Sequence, residues 1–165
     1  MLDGFARLAG LSPAWGSTVA REAEGGRYID MPYTTKGMDF AFTGLLTHAG
    51  KMLSAHSVRD VAFSLQETAF SMICEAAERA LLLTGRDSII LSGGVAQSAR
   101  LKEMVSSICE DRGISFGVAP NEYNADNGAM IALVAEKMLR SGSRFDISSC
   151  SVDQKYRIDR VRITW

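Results

Sequence analysis

Apolar residues recur every three or four positions along most of the chain, and the breaks in that rhythm mark its elements. Leu2, Phe5, Ala6 and Ala9 share one helical face, with Gly10 placed to end it. Ser12-Pro13 opens a turn, residues 17–24 have the spacing of a second short helix, and Gly25-Gly26 closes it. Residues 28–33 read as a short extended piece that Pro32 confines to an edge or a loop. A further helical pattern covers 40–53, interrupted by Gly44 and Gly50.

The longest helix is expected over 58–83. Ala62, Leu65, Ala69, Ile73, Ala76 and Ala80 repeat at helical spacing, Phe63, Phe70, Ala77 and Leu81 widen the stripe, Ser57 can cap its start and Gly85 its end. An apolar strand follows at 88–92, then Gly93-Gly94, then a helix carrying Leu101, Met104, Val105 and Ile108 that starts at the glycine pair and stops at Gly113. A second strand spans 114–118 and a last helix 127–139, which Gly142 stops. Strand, helix, strand, helix with short links is the pattern of a parallel βαβ unit. The tail, 156–165, alternates apolar and polar residues but changes phase at Asp159-Arg160, which predicts a bulged strand or two short strands.

At 165 residues, 47% of them hydrophobic and 22% charged, the chain has the size and composition of one domain able to bury a core. A net charge of -1 excludes a global basic field for unselective nucleic-acid binding. Cys74, Cys109 and Cys150 are widely separated, odd in number and lack metal-ligand spacing, which argues for a reducing, cytoplasmic setting over a disulfide framework or a zinc site. Cys74 lies close to the apolar stripe of the long helix and reads as a buried thiol. No apolar run approaches the ~18 residues of a membrane helix, and the Met1 region lacks a signal-peptide pattern.

Two stretches carry candidate chemistry. Gly93 and Gly94 end an apolar strand at the mouth of a helix, where free N–H groups and the dipole favour an anionic or nucleotide ligand. Close helix-on-strand packing would also explain them, and neither a Walker loop nor a G-x-G-x-x-G fingerprint is present. Asp126 occupies an N-cap position ahead of the last helix, and capping is the commonest role of such a residue. Standing after the second parallel strand, its carboxylate could also face a metal or a metal-bound phosphate.

Taken together, several motifs carry a family resemblance that runs in order along essentially the whole chain. They are Ile89 to Ala96 (Ile-Ile-Leu-Ser-Gly-Gly-Val-Ala), Asp126 to Ala132 (Asp-Asn-Gly-Ala-Met-Ile-Ala), Leu2-Asp3-Gly4-Phe5-Ala6-Arg7, Met31-Pro32-Tyr33, the stretch 36–45, Ser64 to Phe70 and Tyr156-Arg157-Ile158-Asp159. They resemble the C-terminal half of the TsaD family and of its archaeal and eukaryotic counterparts in the KEOPS complex, the archaeal branch most.

That resemblance implies a helix-rich α/β second lobe of an actin-like (ribonuclease H-like) ATPase fold, with a small, partly parallel sheet lacking its usual hairpin strands. It implies a single domain over 1–165, mainly helical over 1–84, with a nucleotide-facing α/β portion and tail over 85–165. The family transfers a threonylcarbamoyl group from its adenylate to adenosine 37 of tRNAs that read ANN codons, with the nucleotide held between two lobes. By the resemblance, Asp3, Gly16, Gly93, Gly94 and Ser98 fall at nucleotide-binding positions, and Asp126 matches an aspartate that shares a divalent metal (iron, zinc or magnesium) with a His-x-x-x-His pair of the first lobe. Cofactors implied are ATP or threonylcarbamoyl adenylate. Implied partners are the N-terminal lobe, the small kinase subunit and small dimeric subunit of KEOPS, and tRNA through the complex.

Departures are equally legible. The histidine pair is absent from these residues, since His48 and His56 stand eight apart and match nothing in it, so this chain alone is expected to be inactive. Ala20 stands where the family has a ribose-binding glutamate, and Ser98 where it has asparagine. The alternative is a non-catalytic lobe or paralogue that uses its helical surface, 40–83, as a protein-interaction module. In the tail, Lys155, Arg157, Arg160 and Arg162 alternate with Asp153 and Asp159, the pattern of a solvated strand face more than of a tRNA site, with Tyr156 and Trp165 pinning it.

Overall fold

A computed structural model describes residues 1–161 and 163, without the side chains of residues 149 and 158. It consists of two compact units, Met1–Asn124 and Ala125–Trp165. The fold is α/β and rich in helix, and among the described residues no helix is long and apolar enough to cross a membrane.

Helix α4 (Val58–Thr84) is the axis of the first unit. Ser57 Oγ accepts the Asp60 amide at its start, and Gly85 ends it in the left-handed conformation (φ 61°), as the caps in the sequence require. Ala62 and Ala69 keep its near face shallow, so that α1 (Leu2–Leu8), α2 (Gly16–Glu22) and α3 (Phe42–Met52) bury Phe5, Val19 and Leu45 against Val61, Leu65 and Met72. Each such apolar side chain contributes roughly 1.5–3 kcal/mol when fully buried.

The extended piece expected at 28–33, on an edge or in a loop, takes the loop form and joins no sheet. It runs along α4, whose polar side chains take the hydrogen bonds a neighbouring strand would have taken. The Arg27 amide donates to Asp60 Oδ1 (2.8 Å) and the Ile29 amide to Ser64 Oγ (2.7 Å), while Tyr28 pairs with Thr68 (3.2 Å) and the Tyr33 hydroxyl donates to Glu75 (2.6 Å). The Arg27 amide, and then Ser57, hold the Asp60 carboxyl below the usual carboxylate range. Contact is close enough that Gly26 is obligatory: a Cβ there would sit 2.5 Å from Phe63 Cβ and 2.8 Å from the Arg59 carbonyl. Just beyond lies an antiparallel hairpin not anticipated in the sequence, β1 (Thr35–Lys36) with β2 (Asp39–Phe40), turning at Gly37 (φ 63°).

The remainder of the unit is the expected parallel pair. β3 (Ser88–Leu91) and β4 (Ser115–Val118) align Ser88 with Ser115 and Leu91 with Val118. Between them α5 (Ala99–Arg112), ended by Gly113 (φ 64°), packs Leu101, Val105 and Cys109 on Phe70 and Cys74 of α4. One expectation is corrected here. The helix does not start at the glycine pair: a 3-10 turn (Gly94–Gln97) that buries Ala96 intervenes, and Ser98 Oγ caps α5 by accepting the Leu101 amide. A four-residue helix, α6 (Asn121–Asn124), closes the unit.

The second unit holds α7 (Gly128–Arg140), two 3-10 turns (Ile147–Ser149 and Ile158–Arg160) and irregular chain. Asn127, not Asp126, is its N-cap: Asn127 Oδ1 accepts the Met130 amide at 3.0 Å. The expected tail strand is absent from the described residues. Local turn chemistry wins there, with the Lys155 amide donating to Asp153 Oδ1 (2.8 Å) and Arg157 clasping Asp159. Arg162 and Trp165, named above for the tail, lie outside the described residues.

Candidate functional site

A cleft of about 1540 Å³ opens in the first unit. Phe63, Gln66, Glu67 and Phe70, spaced to share one face of α4, form one side; α1 and α2 contribute Asp3, Gly16 and Ala20; the 3-10 turn and the start of α5 contribute Gly94, Ser98 and Arg100. Its volume exceeds the ~300–1,000 Å³ usual for small-molecule sites, so a nucleoside fits with room for a further wall.

Asp3 organises the α2 side. From the first turn of α1 its Oδ1 accepts the Gly16 amide at 2.6 Å, a charge-assisted bond that satisfies a donor at the start of α2. The second carboxylate oxygen remains available to a ligand hydroxyl. Gly16 is not strained, and a Cβ there would be 3.4 Å from Leu2 Cβ and 3.5 Å from Asp3 Oδ1, an ordinary contact.

Gly93 and Gly94 are glycines for different reasons. Gly93 has φ 95° and ψ 174°, a region essentially reserved for glycine. Its amide donates to Asn124 Oδ1 (3.2 Å), and Asn124 Nδ2 donates to the Ala119 carbonyl (2.7 Å), so one buried amide ties the turn after β3 to the segment after β4. Gly94 carries no positive φ, and a Cβ there would meet nothing within 4 Å; it lines the cleft, and its missing side chain leaves space for a ligand.

On the α5 side Arg100 is fully engaged. Its Nε and Nη2 donate to the two oxygens of Glu67, both at 2.8 Å, and its Nη1 to Glu103 at 2.8 Å. These bonds, Glu67 first, raise its pKa further above the ordinary arginine value, so the fork joins α4 to α5 and is not a spare cation. Cys74, behind it, is inert at neutral pH because burial pushes its thiol up to about 11.

The structure therefore brings Asp3, Gly16, Gly94 and Ser98 to one cleft, with Ala20 in its lining; Gly93 adjoins it through its turn. Asp126 belongs to the second unit, is exposed and makes no side-chain hydrogen bond or ion pair among the described residues. Among the described residues no three His, Cys, Asp or Glu side chains stand together as a metal site. Asn124, beside Asp126-Asn127, and Gln66, inside the Ser64 to Phe70 motif, were given no role by the sequence. The signal for Asn124 was its place next to two other candidate caps, and for Gln66 a polar residue on an apolar stripe within a family motif.

Comparison with known proteins adds a family. The family model described as TsaD, tRNA N6-adenosine threonylcarbamoyltransferase, matches residues 1–133. A probable bifunctional tRNA threonylcarbamoyladenosine biosynthesis protein of Methanospirillum hungatei is 49% identical over 164 residues, covering 99% of this chain and 31% of that protein. The tRNA N6-adenosine threonylcarbamoyltransferases of Methanococcoides burtonii and Thermococcus sibiricus are 47% and 42% identical over 167 residues, covering 99% of this chain and 49% and 52% of theirs. The chain thus spans between about a third and about half the length of these curated relatives.

Proposed function

Because this chain belongs to the TsaD family of tRNA N6-adenosine threonylcarbamoyltransferases, we propose that it serves tRNA threonylcarbamoyladenosine biosynthesis as the second lobe of a two-lobed, actin-like transferase. In that reading it holds the nucleoside of ATP or of threonylcarbamoyl adenylate, while a first lobe supplies the facing wall and the histidine pair. Asp126 would add one ligand to the metal so formed. The setting is a KEOPS-like complex in the cytoplasm, with the small kinase and small dimeric subunits as neighbours and tRNA reached through the assembly.

One observation carries the reading. Four residues scattered from position 3 to position 98 line one cleft, and each offers what a nucleoside needs there: a carboxylate, main chain without obstruction, and a hydroxyl. Asp3 can accept a ribose hydroxyl with the oxygen that does not serve Gly16. Gly94 lets the ligand approach the backbone.

Ala20 favours a second reading. It lines the same cleft but cannot accept a hydrogen bond, so nucleotide is held by fewer contacts and the lobe acts as a non-catalytic interaction module. NMR titration of the chain separates the two. Adenosine and ATP are expected to shift the Gly16, Gly94 and Ser98 amides with midpoints no tighter than about millimolar. Unmoved amides at saturating nucleotide favour the module; micromolar ATP affinity would contradict dependence on a first lobe.

A further inference from the structure

We draw no further inference here: the strongest candidate, the apolar surface of helix α7 in the second unit, where Met130, Ile131, Leu133, Val134 and Leu139 are exposed and no residue of the helix is buried, carries nothing because nothing in the structure shows what covers it.

Discussion

Asn124 and Gly93, 31 residues apart, meet through a hydrogen bond of 3.2 Å from the glycine amide to the asparagine Oδ1. The same side chain donates to the Ala119 carbonyl at 2.7 Å and is only 3% exposed. A glycine turn in a costly backbone conformation is thereby held from outside, and the wall of the cleft inherits its shape from a residue that does not line it.

Asn124→Ala should therefore cost about 1–3 kcal/mol, the net worth of the two hydrogen bonds it removes, to the exposed Gly93 amide and the half-buried Ala119 carbonyl. Denaturant unfolding measures the loss, and hydrogen exchange at the Gly93 amide should accelerate beyond that of amides in α4. Unchanged protection at Gly93 would mean that the turn holds itself.

The two glycines should respond oppositely to alanine. Gly93→Ala forces a Cβ into a backbone region that L-residues avoid, at a cost of about 1–3 kcal/mol. Gly94→Ala has open space and no positive φ, so stability should be unchanged or rise by up to about 1 kcal/mol, while the new methyl narrows the cleft and weakens adenosine binding. Thermal melting and NMR titration of both variants check the split; undiminished binding by Gly94→Ala would move the ligand away from that turn.

What was legible in the sequence follows from how local the cause was. Ser57 and Gly85 bound α4, and Gly113 ends α5, because a cap is decided within one turn of chain. The parallel pairing of β3 and β4 followed from the helix between them. The path of 27–33 was not legible, because its partners are Asp60, Ser64, Thr68 and Glu75, polar residues of a helix whose period was read from its apolar face. Asp126 and Asn127 are both competent caps, and composition does not choose between neighbours; backbone geometry gave the cap to Asn127 and left the Asp126 carboxylate unengaged. At the cleft, Gly94 was singled out by its place between strand and helix and Asp3, Gly16 and Ser98 through motif resemblance, whereas the burial of Gln66, inside the Ser64 to Phe70 motif, is known only from the fold.

Cysteine reactivity should divide cleanly. Burial pushes the Cys74 thiol up to about 11 and also raises Cys109, whereas Cys150 is exposed. Iodoacetamide at neutral pH should modify Cys150 first, and Cys74 and Cys109 only once the chain is unfolded, as read by peptide mass spectrometry. Early labelling of Cys74 would show that the α4–α5 contact opens readily.

Tyr33 provides a pH test of the strap that lies along α4. Partial desolvation of a side chain that is still 48% exposed, and then its hydrogen bond to the Glu75 carboxylate, push its phenol from 10.0 to about 12. A folded-state pKa raised above the unfolded value contributes stability that is fully present below pH 10 and lost as pH climbs toward 12. Alkaline titration followed by tyrosinate absorbance should show a late phase that Tyr33→Phe abolishes. Glu75→Gln should bring that phase down only part of the way, because the partial desolvation of the phenol persists. A full return to 10 in Glu75→Gln would instead assign the whole effect to the carboxylate, and with it the anchoring of the strap at that point.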